Sequence, residues 1–258
     1  MDARTPDTVT SAERMMRLFP ANNRSHAYID YKGAKERTGD CKLQVKYITV
    51  RKPVTLKEWH EHLEQKRHLT LGLANEEGLS AVSCVDVDDY SIDAIQLIKD
   101  ILRQNLPIVV TRSKSRGAHL FMFHDQPISV DEAIAVAEGT ARTLGLADKK
   151  VEYFPKPTSA DPAKLVKGLN MPYFGSEGPA LKRTGAEMTL HEFLSFAEKN
   201  LTTAEQRAAI IAAGKQKRRE TTPQDEGRKH WRSRHGPVHA TRLLHVSAHL
   251  SAADRRQS

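Results

Sequence analysis

Near the middle of the chain, two apolar runs, "PIVVT" and "GAHLFMF", are separated by only the polar residues 112–117, "RSKSRG". So short a link cannot carry the crossover that joins parallel strands, so the two runs read as a hairpin with a tight, basic turn. Other runs alternate or cluster in the same strand-like way: "HAYIDY" and "KLQVKYITV", joined by the polar "KGAKERTGD", then "HLTLGLA", "LSAVSCVDV", "KVEYF" and the short "GLNMPYF". Between them lie helical patterns. "TLKEWHEHLEQ" and "TLHEFLSFAEKN" each begin with Thr and Glu at capping-box spacing. "SIDAIQLIKDILRQN" places Ile95, Ile98 and Ile101/Leu102 on one face, and "VDEAIAVAEGTARTLG" and "TAEQRAAIIAAGKQKRR" are further helices. Strands neighbour strands without strict βαβ regularity, which predicts an α+β fold around a mixed sheet.

At 258 residues the chain can bury a full core. Residues 1–14 read as a flexible N-terminus, 15–203 as the main domain, and 204–258 as a basic helix followed by a tail. The tail is rich in Arg, His and Ser, poor in large aliphatic residues, and without sustained period. Its composition equally fits a native, truncated or frameshifted end. Lys and Arg outnumber Asp and Glu by 40 to 32, a balance that suits a polyanionic partner. The cysteines, Cys41 and Cys84, are far apart, which argues against a disulfide framework or a thiolate zinc site. The first residues lack the apolar stretch of a signal peptide, and no run is long and apolar enough to span a membrane. The expected setting is cytoplasmic, with no membrane partner.

The chemistry concentrates at "SCVDVDDY". Side chains alternate along a strand, so Asp86 and Asp88 share a face with Cα atoms roughly 6.6 Å apart. Carboxylates so spaced can converge on two divalent cations, with Mg²⁺ or Mn²⁺ preferred by hard oxygen donors. Asp89 points to the other face. A surface strand end, with Asp residues forming turns or capping the next helix, is the competing reading. His119 shares a face with Phe121 and Phe123 and follows a turn that carries Arg112, Ser113, Lys114, Ser115 and Arg116. Hydroxyls and cations in a tight turn suit a polyphosphate, although a basic hairpin beside a buried histidine would look the same. Glu152 supplies a third acid if its strand borders that of Asp86, and Lys156 follows as a phosphate candidate; an exposed Glu paired with a lysine is the alternative. Trp59 reads as a core anchor, and His60 and His62 as residues on a solvated helix face. The basic run at 215–219 could meet a template backbone or simply solvent. The paired histidines His235/His239 and His245/His249 carry too little around them for a metal site.

Taken in order, "VDVDDY", "LPIVVTRSKSRGAHLFMF", "VEYFPKP", "GLNMPYF" and "TLHEFLSFAEKN" resemble the archaeo-eukaryotic primase superfamily over roughly residues 15–200. The nearest likeness is to primase-polymerase domains of phage, plasmid and TOTE conflict systems. The resemblance implies a small αβ unit joined to an RNA-recognition-like mixed sheet, with the active site in the cleft between them. It implies template-directed transfer of (d)NMP from (d)NTP on single-stranded DNA, with two divalent cations, Mg²⁺ or Mn²⁺, and a helicase as a further partner. Carried over residue by residue, Asp86, Asp88 and Glu152 would hold metal, and His119 would contact the incoming phosphates. Ser113, Lys114, Ser115 and Arg116 fall in the phosphate-binding turn, and Lys156 and Asn170 fall where the family contacts nucleotide or template. Two positions depart from the family pattern: Arg116 replaces a glycine, and Pro157 replaces a polar residue. A non-catalytic nucleic-acid-binding replication module and a metal-dependent nuclease stand as alternatives.

Overall fold

The computed structural model describes residues 9–36, 43–89, 91–113, 117–157 and 167–221. The first half supplies α1 (Ser11–Leu18), β1 (His26–Glu36), β2 (Leu43–Val50), α2 (Leu56–Leu63), β3 (His68–Leu71) and β4 (Leu79–Val87). The second half supplies α3 (Ala94–Arg103), β5 (Val109–Arg112), β6 (Ala118–Ser129), α4 (Val130–Thr143), β7 (Val151–Phe154), β8 (Leu169–Asn170), α5 (Leu190–Lys199) and α6 (Ala204–Thr221). The expected capping boxes are present: Thr55 with Glu58 opens α2, and Thr189 with Glu192 opens α5. A third, Thr10 with Glu13, opens α1. Each satisfies backbone donors that a helix start leaves unpaired.

The α+β class holds, and the strands form two four-stranded sheets, β2-β1-β3-β8 and β5-β6-β4-β7. Every strand pair is antiparallel, where a mixed sheet was expected. The second sheet explains why. Its segments run β4-α3-β5-β6-α4-β7, the split βαββαβ arrangement shared by ferredoxin-like and RNA-recognition domains. Each helical crossover skips one strand, so the strands it joins are parallel but not adjacent, and an antiparallel neighbour fills the gap. The parallel contact among the described residues is an isolated bridge, His124 to Thr202.

Alternation gives this sheet two apolar faces. Val85, Val87, Val110, Leu120 and Met122 pack beneath α3 and α4, against Leu97, Ile98, Ile101, Val136 and Ala137. The helix face of α3 is thus Leu97, Ile98 and Ile101; Ile95 and Leu102, expected on it, are 52% and 39% exposed. Asp93 caps α3 by accepting from the Ile95 and Gln96 amides. On the opposite face, Val82, Cys84, Val109, Phe121, Phe123 and Phe154 meet Leu69, Leu71 and Leu169 of the first sheet, with Phe19, Trp59 and Phe193 from α1, α2 and α5. Phe19 packs edge-on against Phe121 and Phe123 at 5.4 and 5.3 Å between centroids, a favourable aromatic geometry. Trp59 is fully buried there, as expected. Burial pushes the Cys84 thiol far up, so it behaves as a core hydrophobe.

Helix α6 lies within the compact unit that ends at Glu220. Arg207, 2% exposed, ties it down through Asp125 (2.6 Å), Glu132 (3.0 Å) and the Thr202 carbonyl (2.7 Å). Gly139 of α4 lets the two helices cross closely, because a Cβ there would stand 2.6 Å from the Ile210 carbonyl oxygen. Lys215, Lys217, Arg218 and Arg219 lie on the exposed end of α6. The C-terminal histidines and Cys41 fall outside the described residues. Among those residues, no helix is long and apolar enough to cross a membrane.

Candidate active site

Register builds the site. Val109, Phe121, Cys84 and Phe154 stand opposite one another across β5, β6, β4 and β7, an entirely apolar row. Two residues further along each strand, on the same face, the row reads Thr111, His119, Asp86 and Glu152. Side chains directly opposed in an antiparallel sheet have Cβ atoms ~5 Å apart, so these four groups form a polar line at the rim of the core. His119 Nε2 lies 3.3 Å from Asp86 Oδ1. His119 is nearly buried, with its ring edge-on to Phe121 at 5.7 Å.

Beyond this row the backbone continues as a second tier. The Asp88 amide donates to the Lys150 carbonyl at 2.9 Å, and the Ser113 amide donates to the Gly117 carbonyl at 2.9 Å. A Cβ at Gly117 would overlap the Val87 carbonyl oxygen, so only glycine lets the turn close against β4. Among the described residues, Ser113 Oγ is buried with no hydrogen-bond partner, as is Thr111 Oγ1 at the end of the polar row. Lys114, Ser115 and Arg116, the remaining turn residues expected at the site, lie outside the described residues, and so does the glycine-to-arginine departure at 116. Asp89, expected on the other face, is not among the residues that line the cleft. It accepts from Ser91 Oγ at 2.6 Å and pairs with Lys149 at 3.0 Å, and these contacts, the Ser91 hydroxyl foremost, lower its pKa to about 2.

The cleft is lined on one side by Asp86, Asp88, His119, Glu152, Arg112 and Ser113, and on the other by Tyr47, His68, Asn170, Met171 and Pro172. Asn170 Oδ1 accepts from Thr70 Oγ1 at 2.8 Å, and Asn170 Nδ2 reaches Tyr47 Oη at 3.5 Å. Two buried histidines pin this wall from behind. His62 accepts from the Leu69 amide (3.1 Å) and donates from Nε2 to the Pro172 carbonyl (2.8 Å). His68 accepts from the Tyr31 hydroxyl (2.6 Å) and reaches the Met171 carbonyl (3.2 Å). His62 was expected on a solvated face. It is instead fully buried, because its two ring nitrogens are spent on strand and wall backbone. Burial lowers its pKa to about 4, which keeps it neutral.

Glu152 is held by two lysines. Lys167 Nζ donates to both its oxygens, at 2.6 and 2.5 Å, and Lys156 Nζ stands 3.7 Å away, over the Phe154 ring at 4.9 Å. Sequence reasoning did not single out Lys167, Tyr47 or His68; Lys167 in particular lies in a stretch without period or motif. As donors, three carboxylates facing one cleft suit a hard divalent cation in kind and in register. They do not converge as drawn: among the described residues, no three His, Cys, Asp or Glu side chains are gathered closely enough to hold an ion.

No protein-family model matches the chain, and no curated protein matches it. Solved structures do align with it. The archaeo-eukaryotic primase domain of the cyanophage S-2L primase-polymerase is 13% identical over 71% of this chain and 94% of that one, with a TM-score of 0.38. Primase RepB′ is 12% identical over 86% and 67%, at 0.38. The catalytic domain of RepB′ in complex with initiator DNA is 11% identical over 84% and 97%, at 0.36. At such identities and scores, the function has to be argued from the chain's own residues.

Proposed function

We propose that the chain is a primase/polymerase-type nucleotidyltransferase that extends or starts a nucleic-acid strand on a single-stranded DNA template. The observation that carries this reading is the polar row Thr111–His119–Asp86–Glu152 with Asp88 one tier beyond, set on a βαββαβ sheet at the mouth of a cleft. Asp86, Asp88 and Glu152 would hold the two cations, which when bound lower the pKa of the attacking 3′-hydroxyl and neutralise the pyrophosphate leaving group. The chain's own groups do the rest. Ser113 offers a buried hydroxyl with no protein partner to a phosphate oxygen, and Arg112 adds charge at the cleft. His119 stands 3.3 Å from Asp86 and lines the cleft where the phosphates would lie. Asn170 and Tyr47, linked to each other, form the wall opposite, where sugar and base would lie. The finer placement among phage, plasmid and conflict-system primase-polymerases, and a helicase partner, rest on the sequence motifs alone.

The deciding experiment supplies primed and unprimed single-stranded DNA, NTPs or dNTPs, and Mn²⁺ or Mg²⁺. Metal-dependent synthesis by the wild type, abolished in Asp86→Ala/Asp88→Ala, is the expected result. No synthesis by the wild type, or undiminished synthesis by the variant, refutes the proposal. One observation favours a second reading, a non-catalytic nucleic-acid-binding module: the acids do not converge, and lysines neutralise Glu152. That module would bind single strands in a salt-dependent way without chemistry. A nuclease is separated by titration with free nucleotide, which it has no need to bind.

A further inference from the structure

The Glu152 carboxylate carries more positive charge than it can use. Lys167 occupies both oxygens and Lys156 stands close by. The Lys167 contact also joins the two sheets, since Glu152 lies on β7 of one and Lys167 lies two residues before β8 of the other. The backbone beside it is fixed. Leu169 pairs with Leu71, and a Cβ on Gly168 would stand 2.8 Å from Thr70 Cγ2 and 3.0 Å from the Leu71 carbonyl carbon. A pinned backbone thus presents a long, exposed ammonium across the cleft to one acid of the polar row.

We propose that Lys167 is a built-in competitor of the divalent cation at Glu152, and that a polyphosphate entering the cleft draws it away. The inference rests on the nucleotidyl-transfer reading and specifies how its two ligands are coupled. With no ligand, the ammonium neutralises Glu152. A triphosphate offers Lys167 a stronger, multiply charged partner within the same cleft, and its departure returns Glu152 to the cation. Linkage is reciprocal, so the cation in turn frees Lys167 for the phosphates. Premature loading of metal without nucleotide is thereby disfavoured.

The test measures binding, not turnover. Free Mn²⁺ is followed by electron paramagnetic resonance as it titrates wild type, Lys167→Met and Lys149→Met. Lys149 pairs with Asp89 on the other face, so its variant reports the general effect of removing one nearby positive charge. Lys167→Met is expected to bind Mn²⁺ on the order of fivefold more tightly than wild type, the value of one well-placed exposed ion pair, and Lys149→Met to gain clearly less. Inorganic tripolyphosphate, titrated without metal, is expected to bind Lys167→Met several-fold more weakly than wild type. If Lys167→Met gains no Mn²⁺ affinity, or Lys149→Met gains as much, the competition is overturned. Unchanged tripolyphosphate affinity in Lys167→Met overturns the exchange onto phosphate. Asp86→Asn separates the levels. Mn²⁺ binding that needs Asp86 but ignores Lys167 removes only this inference. Absence of Mn²⁺ binding in every variant, or binding indifferent to Asp86, removes the metal centre and the inference together.

Discussion

Two neighbouring rows of one sheet divide the work of this molecule. Val109–Phe121–Cys84–Phe154 is buried among aromatic rings from three helices, and Thr111–His119–Asp86–Glu152, on the same face, opens into the cleft. The rows are separated by roughly 6.6 Å of strand. A strand that carries a core residue in one row carries a cleft-facing polar one in the next, so the rigidity of the first is transmitted to the second. Functional groups on packed strands are held more sharply than groups on loops. The comparison therefore predicts that stability and activity separate cleanly between the rows.

The sharpest way to break it is Phe121→Ala. Truncating a fully buried aromatic should cost about 3–5 kcal/mol in unfolding free energy, read by urea denaturation. A cost under about 1 kcal/mol would mean that this row is not the core it is drawn as. Next comes Asp86→Asn. It should lower metal-dependent nucleotide incorporation by about 10²–10³-fold, comparable with losing one key electrostatic group of an active site, while the denaturation midpoint stays close to wild type. If it unfolds the protein instead, the polar row is structural, and the division fails.

Histidines sharpen the contrast further. His62 and His124 lie inside the core, away from the polar row, and burial, aided at His124 by the Arg207 charge, lowers both to about 4 from 6.5. The unfolded chain then binds more protons than the folded one between those values. Stability from these groups is complete above about pH 6.5 and is lost as the pH falls toward 4. Each should contribute on the order of 1–2 kcal/mol to the loss between pH 7 and 5. His62→Gln should flatten part of that slope in a pH series of denaturation curves; an unchanged slope would place the titrating groups elsewhere.

Much of the second sheet was legible in the sequence. The alternation of "LSAVSCVDV" and "GAHLFMF" gave the strands and the sides of Asp86, Asp88, Asp89 and His119, because a period of two is local. What local patterns could not give was register between distant strands. That Glu152 stands opposite Asp86 depends on β7 returning beside β4 with an offset that no short window records. His62 went astray for a related reason: its neighbours in "EWHEHL" are polar, and its burial comes from the Pro172 carbonyl 110 residues away. Ile95 and Leu102 misled because apolar spacing marks a wider stripe than the part that is covered: burial falls on Leu97, Ile98 and Ile101. Arg207 is buried through three contacts from β6, α4 and the segment before α6, none of them visible as a motif.

Gly117 joins the rows, since it is where the turn after β5 closes on the β4 backbone. Gly117→Ala forces a methyl onto the Val87 carbonyl oxygen and should cost about 1–3 kcal/mol, the usual range for overpacking. The turn should move with it, so nucleotide affinity should fall together with the melting temperature. A stable Gly117→Ala protein with full affinity would show that the turn closes in another way.

The smallest effect expected is also the most discriminating. Among the described residues Ser113 Oγ is buried without a hydrogen-bond partner, so removing it deletes a desolvated polar atom and no hydrogen bond to them. Ser113→Ala should therefore leave unfolding free energy unchanged or raise it slightly, since an unsatisfied buried hydroxyl is a liability in the free protein. If the hydroxyl is kept for a phosphate, the same substitution should weaken binding of a nucleoside triphosphate by the value of one hydrogen bond, about 0.5–1.5 kcal/mol, or two- to tenfold. A stability loss with unchanged affinity would assign the hydroxyl to the core row. A small affinity loss at constant or improved stability would place Ser113 in the polar row, where a group is retained for what it meets in the cleft.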